Sequence, residues 1–212
     1  MRTYVLVEGH GETEAVQNLL HRLAPALAPF SLSRVPGIAK EEKLLDHVEL
    51  KRERGDARAL LVLRDDDDGC PKLDAPPLAQ ALRARGLPFP VAVVLAYREY
   101  ESLFLPCIEQ MAGRSFDGPG GARPGLRADA RFEGDFEALR GVKEWLTHHM
   151  AQRKRYKPAV DQLPLTRMVD FDVVRQKGLP WFGSLERALT FLGEHLGEGG
   201  VAYPPERTPD IS

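Results

Sequence analysis

The chain has 212 residues, 43% of them hydrophobic and 28% charged, with a formal net charge of −2, ordinary values for a soluble globular protein with one sizeable core. A total so near neutral supplies no overall field for nucleic acid, so any such contact needs a local basic patch. The two cysteines, Cys70 and Cys107, are too few for a disulfide framework and lack a zinc-type spacing.

Thr3–Val7 is a short apolar run of the kind that forms a strand buried on both faces. It stops at Glu8, too early for the apolar segment of a signal peptide. No apolar run approaches the ~18–20 residues of a membrane span, and a cytoplasmic protein is expected. From Thr13, Val16, Leu19, Leu20, Leu23 and Leu27 recur at helical spacing. "FSLSRVPGI" reads as an edge-like strand, and Ile38–Arg54 as an amphipathic helix. Ala59–Leu63 is a second buried strand that breaks into Arg64 and four aspartates. Pro76–Arg85 reads as a helix, and Val91–Ala96 as a third buried strand leading into "YREYESLFL".

Strands alternating with helices in this way predict an α/β fold with a mostly parallel sheet. Gly113–Ala130, rich in Gly, Pro and Arg, reads as a long and mobile loop. Helices are expected over Phe136–Ala151 and from Leu185 to about Leu196. The expected organisation is an α/β core over 1–110, a loop with a mainly helical extension packed on it over 111–196, and a disordered tail over 197–212.

The acids gather at one place. Ligands of parallel α/β sheets bind beyond the carboxyl ends of the strands. Here the first strand ends in Glu8, with Glu12 a turn later; the second in Asp65–Asp68; the third leads to Glu99 and Glu101. Neighbouring strands lie roughly 4.8 Å apart, so acids at adjacent ends can share an ion. Asp65 and Asp67 are two apart and point to the same side of an extended chain. Gly9 and Gly11 allow unusual dihedrals and close approach. Crowded carboxylates need a cation, and an all-oxygen set suits Mg²⁺ or Mn²⁺ rather than zinc. His10 reads as a turn residue, and no P-loop signature occurs.

Three motifs, "VEGHGE" at 7–12, "VLRDDDDGCP" at 62–71 and "LAYREYESLFL" at 95–105, resemble the Toprim superfamily of topoisomerases and primases. More narrowly they are similar to a poorly characterised Toprim-like family, encoded beside AAA or ABC-type ATPases and related to OLD-type nucleases. The resemblance covers residues 1–110 and runs more loosely through "YKPAVDQLPLTRMVD" to about residue 192. It implies a Toprim-like fold in which Glu8 and Glu12 match the two glutamates of the first motif. Asp65 and Asp67 match the Asp-x-Asp pair, with Asp66 and Asp68 as the alternative register. Glu101 matches the later glutamate, with Glu99 beside it; Arg98 and Glu99 stand where OLD enzymes place a serine. OLD-type nucleases also use a downstream lysine, for which Lys143 is the candidate and Lys157 the alternative.

The chemistry expected is metal-dependent hydrolysis of phosphodiester bonds in DNA or RNA. Glu8 binds metal or takes a proton, Glu12, Asp65, Asp67, Glu99 and Glu101 complete a site for two ions, and Lys143 neutralises charge at phosphate. Arg153, Lys154, Arg155 and Lys157 would hold a phosphate backbone while Tyr156 stacks on a base. The resemblance adds an ATPase partner, in a system such as anti-phage defence. Two other functions fit the same residues: a non-catalytic module that docks onto an ATPase, or another Toprim phosphoryl or nucleotidyl transferase.

Overall fold

The structure, a computed structural model, describes residues 1–9, 11–117 and 121–206. His10 and the final part of the expected disordered tail, 207–212, lie outside the described residues, as do 118–120 of the expected loop.

β1 (Arg2–Val7) leads into α1 (Glu12–Leu23), then β2 (Phe30–Arg34), α2 (Glu41–Glu53), β3 (Ala57–Asp66), α3 (Pro71–Arg83) and β4 (Val91–Tyr97). β1, β4 and the Ala59–Leu63 part of β3 are nearly all apolar because both their faces are covered. The sheet has the order β2-β1-β3-β4-β7, with every pairing parallel. The expected parallel α/β architecture is therefore present, with helices on both faces, and it is consistent with a Toprim-like arrangement.

Alternation along the strands divides the core in two. Tyr4, Leu6, Leu60, Val62, Val93 and Leu95 pack under α2 and α3. Val5, Val7, Leu61, Leu63, Val94 and Ala96 face α1 and the C-terminal helices. These are α5 (Val142–His149), α6 (Pro158–Met168), α7 (Phe171–Lys177) and α8 (Pro180–Glu194), preceded by the short α4 (Ile108–Met111). Arg22 pins α1 to α6, its guanidinium donating to the carbonyls of Thr166 at 2.8 Å and Val169 at 2.6 Å. On the same face Trp181 is buried and donates its indole N–H to Ser102 Oγ at 2.8 Å.

Several boundaries differ from expectation. α2 begins at Glu41 rather than Ile38, because Gly37 turns the chain with φ 71°. α3 begins at Pro71, five residues before the expected Pro76, and carries Pro76 and Pro77 inside it. Proline at the first helical position loses no internal hydrogen bond, and Asp74 accepts the Cys70 N–H at 2.6 Å to close the turn. α5 is shorter than the expected Phe136–Ala151, since Gly141 is left-handed with φ 73° and sets its start. Within Gly113–Ala130, β5 (Ser115–Phe116) pairs antiparallel with β6 (Arg123–Pro124), and Phe116, Leu126 and Ala130 are buried in the main core. Over its described residues that stretch is tied to the fold rather than a free loop. The tail is also corrected over its described part. Gly200 N–H donates to Leu87 O at 3.0 Å, and β7 (Ala202–Tyr203) adds to β4 at Val91 and Ala92.

β3 lies at the centre of the sheet with Leu61 fully buried. Leu61→Ala is expected to lower the free energy of unfolding in urea by about 2–5 kcal/mol. A loss below about 1 kcal/mol would contradict a central, close-packed β3.

Candidate active site

Because the strands are parallel and in register, with Leu6 beside Val62 and Asp65 beside Ala96, their carboxyl ends lie at one edge. Asp65 continues the Leu61–Leu63 alternation, so it opens on the face where α1, α5 and α6 meet. A cavity of about 630 Å³ lies there. Its acids are Glu8, Glu12, Asp65, Asp67 and Glu101, with Lys143 and Arg64 among them. Asp66 belongs to the opposite face, where it packs over Gly69 near Asp74, and Asp68 is exposed and paired with Arg140 at 2.6 Å. Of the two registers, 65 and 67 are the pair that faces the cavity.

Glu12 is the first residue of α1 and is 6% exposed. Its Oε2 accepts the Glu8 N–H at 3.2 Å, folding its carboxylate back over the loop. A side chain on Gly9 would overlap that carboxylate, and one on Gly11 would strike the backbone of Pro158 at the start of α6. Gly11 has φ −73°, and Gly9 is not among the positive-φ glycines. Close approach, not unusual dihedrals, is what these glycines supply.

Beyond β4 the chain turns sharply at Arg98, a non-glycine residue with φ 64°. The Tyr100 N–H then donates to Asp65 Oδ1 at 2.8 Å, and Glu101 is carried inward until it is fully buried. Glu101 Oε1 accepts from Tyr156 Oη at 3.0 Å and Gln162 Nε2 at 3.3 Å. Its Oε2 is buried without a hydrogen-bond partner. Lys143, in the first turn of α5, reaches into this group, its Nζ 3.2 Å from Glu99 Oε1, 3.4 Å from Glu101 Oε2 and 3.6 Å from Asp65 Oδ2. Glu99 does not line the cavity; it also accepts the Lys143 N–H at 3.2 Å.

The electrostatics follow from crowding and burial. Burial pushes the Glu101 carboxyl up to about 7, with Lys143 opposing and Glu99 adding to the shift. Burial and then the charges of Glu12 and Glu101 hold Asp65 well above the usual carboxylate range. Burial raises Glu12 too, against the pull of the Gly9 backbone and Lys143. Burial disfavours the Lys143 ammonium, yet Glu101, Asp65 and Glu99 outweigh it and hold the lysine above its ordinary value.

Among the described residues, no three His, Cys, Asp or Glu side chains already stand as a metal cage. The carboxylates surround the ammonium instead. The donor set still fits a hard cation on one test: Glu101 Oε2 is a buried oxygen that accepts no hydrogen bond and meets only the Lys143 ammonium, at 3.4 Å.

The basic run is divided. Arg153, Lys154, Arg155 and Lys157 are exposed beside Pro158 and Ala159, which line the cavity. Tyr156 is only 6% exposed and its hydroxyl is engaged by Glu101, so its ring is not open to stack on a base, contrary to expectation. Lys157, the alternative lysine, is exposed and does not line the cavity, and its N–H donates to Asp161 Oδ2 at 2.7 Å. Sequence reasoning missed Gln162 and the buried role of Tyr156. Pro158 after Lys157, opening a helix whose Gln162 lies one turn further on, was the available signal.

The molecule is thus a parallel α/β protein with an acidic cavity at the carboxyl edge of its sheet. Residues 7–190, most of the chain, match a family described as a domain of unknown function, DUF4276, and the protein belongs to that family. The match spans every candidate residue from Glu8 to Lys157. No curated protein matches the chain.

Two outcomes are expected here. Gly11→Ala meets backbone and should cost about 1–3 kcal/mol in urea unfolding, whereas Gly9→Ala meets only the end of the Glu12 side chain and should cost less. The reverse order would contradict the close approach of α6. The second concerns pH. A carboxyl held near 7 keeps a proton that the unfolded chain, at 4.5, releases, so stability falls as pH rises from 4.5 to 7. Raised Asp65 and Glu12 act in the same sense, while Lys143 stays charged throughout. Calorimetry in chelator-treated buffer should find a shallower fall of Tm with pH in Glu101→Gln than in wild type; parallel curves would refute the assignment.

Proposed function

We propose that this protein is a divalent-metal-dependent nuclease that hydrolyses phosphodiester bonds in DNA or RNA. The observation that carries the reading is Glu101 Oε2, a buried carboxylate oxygen that accepts no hydrogen bond and is met only by the Lys143 ammonium, in a cavity built from three strand ends. Asp65, Asp67, Glu8, Glu12 and Glu101 are the residues that would hold Mg²⁺ or Mn²⁺. Such ions, when bound, lower the pKa of water and neutralise charge developing on phosphate.

The chain's own groups divide the rest of the work. Tyr156 and Gln162 fix the orientation of Glu101, and the Tyr100 N–H fixes Asp65. Glu8, part-exposed at the cavity edge, is placed to accept a proton from a water. Lys143 supplies a positive charge for the phosphate. The exposed Arg153, Lys154, Arg155 and Lys157, beside the cavity mouth, supply sequence-independent contacts to a nucleic-acid backbone. An ATPase partner and a cytoplasmic location belong to the same reading. The motif resemblance supports the first. Among the described residues no helix is long and apolar enough to cross a membrane.

Incubation with plasmid, single-stranded DNA and tRNA, with Mg²⁺ or Mn²⁺, is the test. Cleavage should require the metal and fall at least about a hundredfold in Asp65→Asn and in Glu101→Gln. Replacing Arg153, Lys154 and Arg155 together by alanine should weaken binding uniformly across sequences and flatten its salt dependence. Metal-dependent cleavage retained in both acid variants would remove the site assignment.

A further inference from the structure

Lys143 stands where a cation would. Its ammonium lies within 3.6 Å of oxygens of Asp65, at the end of β3, and of Glu99 and Glu101, just beyond β4. The carboxylates are held in place. Glu101 is clamped through Oε1 by the buried Tyr156 and Gln162, and Asp65 by the Tyr100 amide. The lysine is the freer partner: its side chain is 36% exposed and hangs on a flexible four-carbon stem. An ion bound to Glu101 Oε2 and Asp65 Oδ2 would share the ammonium's space, and two cations at that range repel. One of them has to leave.

Glu99 marks where the lysine goes. It is the one carboxylate of the three that does not line the cavity. It already takes two bonds from Lys143, one from the backbone N–H and one from Nζ, each at 3.2 Å. By keeping Glu99 and releasing Asp65 and Glu101, the ammonium clears the cavity through rotation about its own stem, and α5 stays in place.

We propose that Lys143 is a built-in counter-cation that a divalent ion displaces, and that Glu99 is the acceptor onto which it withdraws rather than a metal ligand. This rests on the metal reading of the cavity given above. The cavity then has two states on one backbone: its acids neutralised by the ammonium without divalent ion, and by the ion once the ammonium has withdrawn. Metal affinity is set by competition with an internal charge as well as by the number of oxygens.

The test is a calorimetric Mn²⁺ titration of the chelator-dialysed full chain at pH 8, as wild type, Lys143→Met, Glu99→Gln and the double variant. Lys143→Met should bind Mn²⁺ about tenfold more tightly and unfold at a lower temperature without metal. Glu99→Gln should bind about three- to tenfold more weakly, and that loss should vanish in the Lys143→Met background. Lys143→Gln serves the same cycle if the methionine variant does not fold. Unchanged or weaker binding in Lys143→Met overturns the displacement. A Glu99→Gln loss that persists without the lysine makes Glu99 a ligand and overturns its role as acceptor. Absence of Mn²⁺ binding in every variant overturns the metal reading and this inference with it. The expected cycle without any nucleic-acid cleavage counts against the nuclease reading alone.

Discussion

Like charges repel most where they are buried, and the carboxyl edge of this sheet gathers Glu12, Asp65 and Glu101 into one buried cluster. The Lys143 ammonium makes that gathering tolerable. Its position depends on α5, whose start depends on left-handed Gly141, while α5 itself is anchored through Val142 and Leu146 in the main core. The helical C-terminal part is therefore no appendage to the sheet. It provides the counter-charge through Lys143 and the clamps on Glu101 through Tyr156 and Gln162.

The clamp explains why one oxygen of Glu101 accepts no hydrogen bond. Two donors converge on Oε1, and the cluster offers Oε2 only charge at 3.4 Å. A buried carboxylate satisfied on one side alone is costly in isolation, and such imbalance tends to persist where a site does chemistry. Asp65 has the same asymmetry in milder form, with one oxygen on the Tyr100 amide and the other toward Lys143. Both residues present one oxygen to the fold and one to the cavity.

Much of this was legible in the sequence, for a simple reason. Strands covered on both faces must be apolar, so the point where Val5–Val7, Leu61–Leu63 and Val93–Ala96 give way to acids marks the carboxyl edge without ambiguity. The period of two separates Asp65 and Asp67 from Asp66, although four identical residues conceal where the strand stops. Tyr156 was harder. Its neighbours Arg153, Lys154, Arg155 and Lys157 are all exposed, and a single inward residue in a short irregular segment has no periodicity to reveal it. β7 escaped notice because two residues joining an open edge leave almost no pattern. Local sequence encodes strands and helices; which of them meet across 40 or 60 positions, as Glu101 does with Lys143 and Gln162, is decided by the core.

The contact between Gly11 and Pro158 carries one more consequence. Gly11 belongs to the floor of the cavity, since it precedes Glu12, and Pro158 to its lip, since it follows the exposed basic run. With the two backbones this close, floor and lip are held against each other. The span from acids to basic segment is a gauge cut at folding. A polyanion laid along the lip would meet a fixed depth, and its geometry would have to suit that depth.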